Sequence, residues 1–384
     1  MDFSWSEEQQ ALRRSVIRFA QCELTSDLVE EDRKQEFSWE GWRECARFGI
    51  QGLPLPEEYG GGGADILTTV CALEGLAYGC RNSGLIFSLS AHMWGSEIPL
   101  LAFGTGEQKR KYLPKLASGE WVGAKTFSSP SAELGAELGA GPATRAVRRD
   151  GRWVLNGSEA AVSNAPLADV LIVLAAVESA EGPPGLTAFI VEKSAPGLTV
   201  GRPLEKMGLR TSPLADVVLV DCEVPDENLL GEIGGGAAVQ AAAAEWERIC
   251  LLAGELGMMQ RQLETSARYA TERRQFGQPI GKFPAVATKV ADMDIRLETS
   301  RLLLYKAAWL QQQGQNPLRE AAIAKAYVAD AAIQTCRDAV QIRGGYGYMT
   351  EYQVERDLRD AVSEKIYSGT TEAHKMIIAG LHGL

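Results

Sequence analysis

The chain has 384 residues, 45% hydrophobic and 23% charged, a soluble globular composition long enough for two or three domains and a large core. With 39 basic against 50 acidic side chains the net charge is -11, which argues against general affinity for nucleic acid or an anionic membrane but permits a local basic patch. Seven scattered cysteines without a CxxC pair read as reduced, buried thiols of a cytoplasmic protein. Three dispersed histidines (His92, His374, His382) suggest no metal site.

In chain order, residues 1–120 read as helices. Ser4, Trp5 and Ser6 ahead of Glu7 and Glu8 make an N-cap with an acidic first turn. The opening residues carry no long apolar run, so neither a signal peptide nor an anchor is expected, and no segment reaches the ~20 apolar residues of a membrane span. Gly60 to Gly63 read as a flexible bend that needs no ligand to explain it. After about residue 120 the pattern changes to short segments rich in Val, Leu and Ile, at 152–162, 168–177, 186–193, 198–204 and 215–224, with turn residues such as Pro196-Gly197 between them. Strands at this spacing predict a small barrel or sandwich. From residue 237 the chain is Ala-rich and helical again. The expected domains are 1–120, 121–232 and 233–384.

Within the last of these, Ile249, Leu252, Ala253, Leu256, Met259 and Leu263 recur at three- and four-residue spacing and define one helix face. The sequence reading puts Glu245, Trp246, Glu247 and Arg248 at the N-terminal end of this helix. It ends the helix at Phe276-Gly277-Gln278-Pro279, beyond a basic turn.

Five stretches together resemble the acyl-CoA dehydrogenase family: GTGEQKRKYLPKLASGEW (104–121), EKMGLRTSPLADVVLVDCEVPDENLLG (205–231), ERRQFGQPIGKF (272–283), QIRGGYGY (341–348) and IYSGTTEAHK (366–375). They stand in the family's order and cover almost the whole chain. The resemblance implies an α+β multidomain fold: an N-terminal helical domain, a middle β domain and a C-terminal four-helix bundle. It implies FAD as cofactor, an acyl thioester on CoA or on a carrier protein as substrate, and a homo-oligomer, dimer or tetramer. The helix texture around 246–263 also resembles the subgroup that oxidises carrier-tethered aminoacyl groups in natural-product pathways.

That reaction removes an α-proton and a β-hydride, so it needs a desolvated carboxylate base and donors to the developing enolate. Most of the family carries its base in an Ile-Tyr-Glu-Gly segment, which here is Ile366-Tyr367-Ser368-Gly369, and a serine cannot do the work. A minority carries the glutamate on the long helix just before an arginine, where this chain has Glu247-Arg248. Glu247 is therefore the expected base and Arg248 the expected neighbour of the thioester arm. A plain ion pair would explain either residue as well. The resemblance assigns Arg273, Gln275 and Phe276 to the FAD pyrophosphate of a neighbouring subunit, where a guanidinium fork suits paired phosphate oxygens. It assigns Gln341, Gly344 and Gly345 to the adenosine half, and Thr370, Thr371 and Glu372 to the flavin.

Two motifs depart from the family. The Thr-Glu-Pro-x-Ala-Gly-Ser-Asp motif is here residues 128–135, with Ser128 keeping a hydroxyl for the flavin and Leu134 in the place of the serine; the near-repeat that follows reads as a mobile loop. Where the family has a tryptophan, this chain has Ala161, although Ser163 keeps its hydroxyl. A missing indole frees space for a larger carrier, another substrate or oxygen. A flavin monooxygenase or decarboxylating oxidase is thus one alternative, and a scaffold without catalysis or flavin is another.

Overall fold

The computed structural model describes residues 5–126, 144–177 and 185–384. Its first helix, α1 (Glu7–Glu23), starts on Ser6: Gln9 N donates to Ser6 Oγ at 3.1 Å and Ser6 N to Gln9 Oε1 at 3.0 Å. Two otherwise unpaired amides are thereby satisfied. There follow α2 (Leu28–Lys34), α3 (Trp39–Phe48), α4 (Ile66–Gly79) and α5 (Ser83–His92). A π-helical turn, Met93–Glu97, carries α5 into α6 (Ile98–Phe103), and α7 (Gly106–Ala117) closes the helical region. The four-glycine run corrects the sequence reading. Gly61, Gly62 and Gly63 donate to the carbonyls of Pro56, Gly52 and Leu55, and a Cβ at Gly61 would lie 2.0 Å from Leu55 O. It is a fixed, hydrogen-bonded turn.

The expected strands are present as β3 (Arg152–Ser163), β4 (Val170–Val177), β5 (Gly185–Glu192), β6 (Leu198–Val200) and β7 (Leu214–Pro225). Three short ones were not foreseen: β1 (Gly123–Lys125), β2 (Arg145–Arg149) and β8 (Leu229–Leu230). All eight form one mixed sheet in the order β6-β7-β3-β2-β4-β5-β8, with β1 pairing parallel to β4. Strand β4 is buried on both faces. Leu171, Val173 and Ala175 meet Trp153, Leu155, Val217 and Leu219, while Val170, Ile172 and Leu174 pack on Tyr112, Leu113 and Leu116 of α7. The alternation of a half-buried strand is lost there because both sides are covered.

The C-terminal part contains α8 (Gly236–Glu272), the hairpin β9 (Arg274–Gln275) with β10 (Gln278–Pro279), α9 (Pro284–Gln312) and α10 (Leu318–Arg343). After these come α11 (Gly345–Tyr348), α12 (Val354–Val362) and α13 (Thr371–Gly380). Helix α8 begins about three turns before Glu247, because the alanine run 241–244 propagates helix. Glu247 is therefore inside the helix and not at its end. The helix also stops sooner than the sequence suggests, at Glu272, and the Phe276-Gly277 pair turns the hairpin instead. A single apolar core joins Leu73 and Leu76 of α4 to Leu252 and Leu256 of α8, so both helical regions are built on the same two helices.

Candidate active site

A cavity of about 570 Å³ opens between the sheet and the two helical regions. Ser163 and Leu214 line it from the β3/β7 end, Glu247 and Leu251 from α8, and 366–370 from the segment before α13. Its wall is largely apolar, with Phe87 and Tyr367 packed ring to ring at 4.7 Å. Among the described residues, Glu247 is the one carboxylate on that wall.

Glu247 is held from two sides. Lys125 Nζ lies 3.2 Å from Glu247 Oε2, and the Ser368 hydroxyl donates to Oε1. The serine expected at the family's usual base position thus touches the glutamate expected at the alternative one. Ser368 has a left-handed backbone (φ 51°), a conformation that costs a non-glycine residue about 1–3 kcal/mol unless its surroundings hold it. His374, on the first turns of α13, supplies part of that hold: its Nε2 and the Ser368 carbonyl oxygen are 3.0 Å apart. Only an N–H can bond a carbonyl oxygen, so the proton of a neutral ring is on Nε2. Burial, together with the charge of Arg248, pushes His374 down to about 4, and the ring is neutral at pH 7.

Lys125 was not among the residues singled out from sequence. The available signal was a charge inside the apolar run Val122-Gly123-Ala124-Lys125. The π turn positions it. Ser96 Oγ donates to Ala124 O at 3.1 Å, Gly123 N donates to His92 Nδ1 at 2.8 Å, and a Cβ at Gly95 would stand 3.2 Å from Lys125 Cβ. Trp94 of the same turn stacks on Trp246 at 5.4 Å, which brings Lys125 up to the residue after Trp246.

Around the mouth, residues 206–214 are fastened to α12. Leu209 N donates to Asp360 Oδ1 at 2.6 Å, and Gly208 passes so close to Arg359 O that a Cβ would be 2.2 Å away. Burial raises Asp360 to about 7 and lowers Lys206 to about 8, and the Lys206 ammonium donates to Ser212 O.

The other expected residues fall into two groups. At the cavity are Glu247, Ser163 and Thr370; Arg248 and Thr371 are buried beside them, and Glu372 is exposed on the first turn of α13. Ala161, in the family's tryptophan position, also lines the cavity, at φ 55°. The second group is distant. Arg273 caps α8 with its guanidinium over the Tyr346 ring at 5.6 Å, Gln275 and Phe276 form the tip of the hairpin, and Gln341, Gly344 and Gly345 are exposed where α10 ends. Gly344 adopts φ 59°, ψ -131°, a region open essentially to glycine alone. Arg273 is 26 positions beyond Glu247 along α8, roughly 39 Å at 1.5 Å per residue. Ser128, Leu134 and the near-repeat after them lie outside the described residues.

Three comparisons with known proteins agree. The models of the acyl-CoA dehydrogenase N-terminal, middle and C-terminal domains match residues 6–120, 126–222 and 234–380. The chain belongs to the acyl-CoA dehydrogenase family. Over 379 residues it is 38% identical to the L-prolyl-[peptidyl-carrier protein] dehydrogenase of Pseudomonas fluorescens, covering 99% of both chains. The crystal structure of the prolyl acyl carrier protein oxidase AnaB superposes with a TM-score of 0.95 at 44% identity, over 99% of this chain and 100% of the other. The FAD complex of PigA gives 0.94 at 36%, over all of both chains.

This family member is a flavin-dependent oxidoreductase of acyl thioesters, with FAD as its cofactor. The residues present fit that group. Ser163 and Thr370 offer hydroxyls to one cavity, and next to it the buried Thr371 Oγ1, Arg248 Nε and His374 Nδ1 have no hydrogen-bond partner among the described residues. Buried polar atoms are rarely left so unless a ligand or water completes them.

Proposed function

We infer that this chain catalyses α,β-dehydrogenation of an acyl group tethered to a carrier protein, with Glu247 as the base, in a secondary-metabolic pathway. One observation carries the assignment of the base: the two places where this family keeps its carboxylate meet in a single hydrogen bond, and the carboxylate is on the Glu247 side of it. An acyl α-carbon brought to that point loses its proton to a Glu247 carboxylate oxygen. Ser368 and Lys125 fix the direction of the carboxylate, and the side chains of Phe87, Leu251 and Tyr367 make the wall around it apolar. FAD, when bound, supplies the acceptor for the β-hydride. Arg248 is suited to the thioester arm, because its buried guanidinium keeps an unpartnered donor. The carrier-protein preference rests on the likeness to two proteins that are named for prolyl groups on carriers.

Along α8, Arg273 stands roughly 39 Å from Glu247, away from the cavity of its own subunit. The reading therefore includes a homo-oligomer in which Arg273, Gln275, Phe276, Gln341, Gly344 and Gly345 of one subunit complete the site of another. The seven free cysteines, six of them buried, fit a cytoplasmic location. Among the described residues no helix is long and apolar enough to cross a membrane.

Anaerobic spectroscopy tests this. Acyl thioesters on a carrier protein should bleach the flavin band, and faster than the same acyl groups on CoA. Glu247→Gln, with flavin still bound, should slow bleaching by about 10²–10⁴-fold, the usual contribution of a positioned base. Full-rate bleaching by that variant would remove Glu247 from the role. A second reading, oxygen as the electron acceptor, is favoured by Ala161, which leaves the cavity wall without an aromatic side chain there. It predicts stoichiometric oxygen consumption during turnover without any added acceptor.

A further inference from the structure

We propose that Lys125 is a specificity residue that selects acyl groups bearing a hydrogen-bond acceptor on the α- or β-carbon, such as an unprotonated amine nitrogen or a carboxylate, over plain alkyl chains. The inference rests on the dehydrogenation reading and deepens it.

Position comes first. The Lys125 side chain is only 4% exposed, and it is one of the residues that wall the cavity. Its ammonium is 3.2 Å from the carboxylate that takes the α-proton, so it stands within reach of a substituent near the α-carbon of a substrate seated on Glu247. The placement is built by several elements: the π turn contributes Ser96 to the β1 backbone and Gly95 to the lysine's own Cβ. Irregular π turns are frequent at functional sites.

Energetics come second. Burying an ion pair adds little stability, and exchanging it for apolar residues of similar volume is often neutral or stabilising. A lysine in a largely apolar acyl cavity is thus poorly explained by folding alone. It does have a chemical consequence. A carboxylate beside an ammonium loses the attraction between the two charges when it accepts a proton. An acyl group with an acceptor can take over the donor that faces Glu247 and loosen the clamp while it binds. An alkyl chain offers nothing in exchange and leaves Glu247 held. A protonated amine would meet Lys125 as a like charge, so an aminoacyl substrate should react as the free base.

The test uses the FAD-loaded full chain and pantetheine thioesters of butyrate, proline and succinate, with flavin bleaching followed anaerobically in stopped flow. The wild type should reduce with prolyl or succinyl at least about tenfold faster than with butyryl, the scale of one charge-assisted hydrogen bond. Whichever of the two is faster tells a neutral acceptor from an anionic one. Lys125→Met should lose that tenfold preference, with the prolyl and succinyl rates falling by more than the butyryl rate. If Lys125→Met does not retain flavin, Lys125→Gln is read in its place. Equal slowing on all three thioesters, or an unchanged preference, would overturn the inference while leaving dehydrogenation standing. A wild type that no thioester bleaches would overturn both.

Discussion

At the residue scale the candidate site is a chain of contacts in which each group fixes the next: His374 on the Ser368 carbonyl, the Ser368 hydroxyl on Glu247, and Lys125 on the other oxygen of the same carboxylate. The first link is sensitive to pH. The folded state lowers His374 from 6.5 to about 4, so between those values the unfolded chain binds more protons and stability falls as pH falls. The contribution is present in full above about pH 6.5 and has gone near pH 4. It amounts to at most about 3 kcal/mol at 1.36 kcal/mol per unit. His374→Gln can keep a donor to Ser368 O without titrating. Denaturant midpoints at pH 7.5 and pH 5 should therefore differ less in this variant than in the wild type. An equal acid-side loss in both would mean that other groups carry it.

At the element scale, α8 does most of the positioning, and its packing against α4 sets its height relative to the cavity. The closest approach is at Gly257, where a Cβ would lie 2.2 Å from Glu74 O and 2.6 Å from Tyr78 N. Both are backbone atoms of α4 and cannot swing aside. Two effects compete in Gly257→Ala: helix propensity favours alanine by up to about 1 kcal/mol, while overpacking typically costs about 1–3 kcal/mol. The clash should win, with a net loss of about 1–2 kcal/mol in denaturant unfolding and a weaker hold on FAD from the displaced helix. A stabilised variant would show that the two helices can separate at little cost. The periodicity of α8 was legible because 249, 252, 253, 256, 259 and 263 repeat with helical spacing. Its true start was not legible, since Ala-rich turns fit the end of a loop as well as the beginning of a helix. Short strands such as β1, three residues long, carry too little pattern to be read at all, and Lys125 was missed along with it.

At the scale of the whole molecule, the C-terminal helices leave apolar surface uncovered. Ile295, Leu302 and Trp309 are spaced seven apart along α9 and are 61%, 55% and 49% exposed, and Phe276 at the hairpin tip is 91% exposed. Rows of this kind mark interfaces more often than free surface. Size-exclusion chromatography with light scattering should give a dimer or larger assembly. Subunit mixing tests the shared site more sharply. Under the proposed reading, Glu247→Gln would disable the catalytic side of a site, and Arg273→Ala the flavin contact lent to a neighbour. Each homo-oligomer should be nearly inactive, and refolding the two together should restore about a quarter of wild-type activity for randomly paired subunits of a symmetric dimer. No recovery on mixing would mean that both residues serve the same subunit's site.

The sequence by itself determined the helix, sheet, helix order and, through the motifs that resemble the family, the acyl-CoA dehydrogenase scaffold with its FAD and the expectation of a base at 247 where 368 is a serine, because periodicity, turn residues and motif spacing are local properties of the chain. Tertiary structure alone decided that Ser368 and Glu247 touch, that Lys125 joins them, that His374 is neutral, and that Arg273 is far from its own cavity. Those are relations between residues tens to hundreds of positions apart. Whether two side chains meet depends on how α8, the π turn and the segment before α13 pack together, and no local pattern encodes that distance.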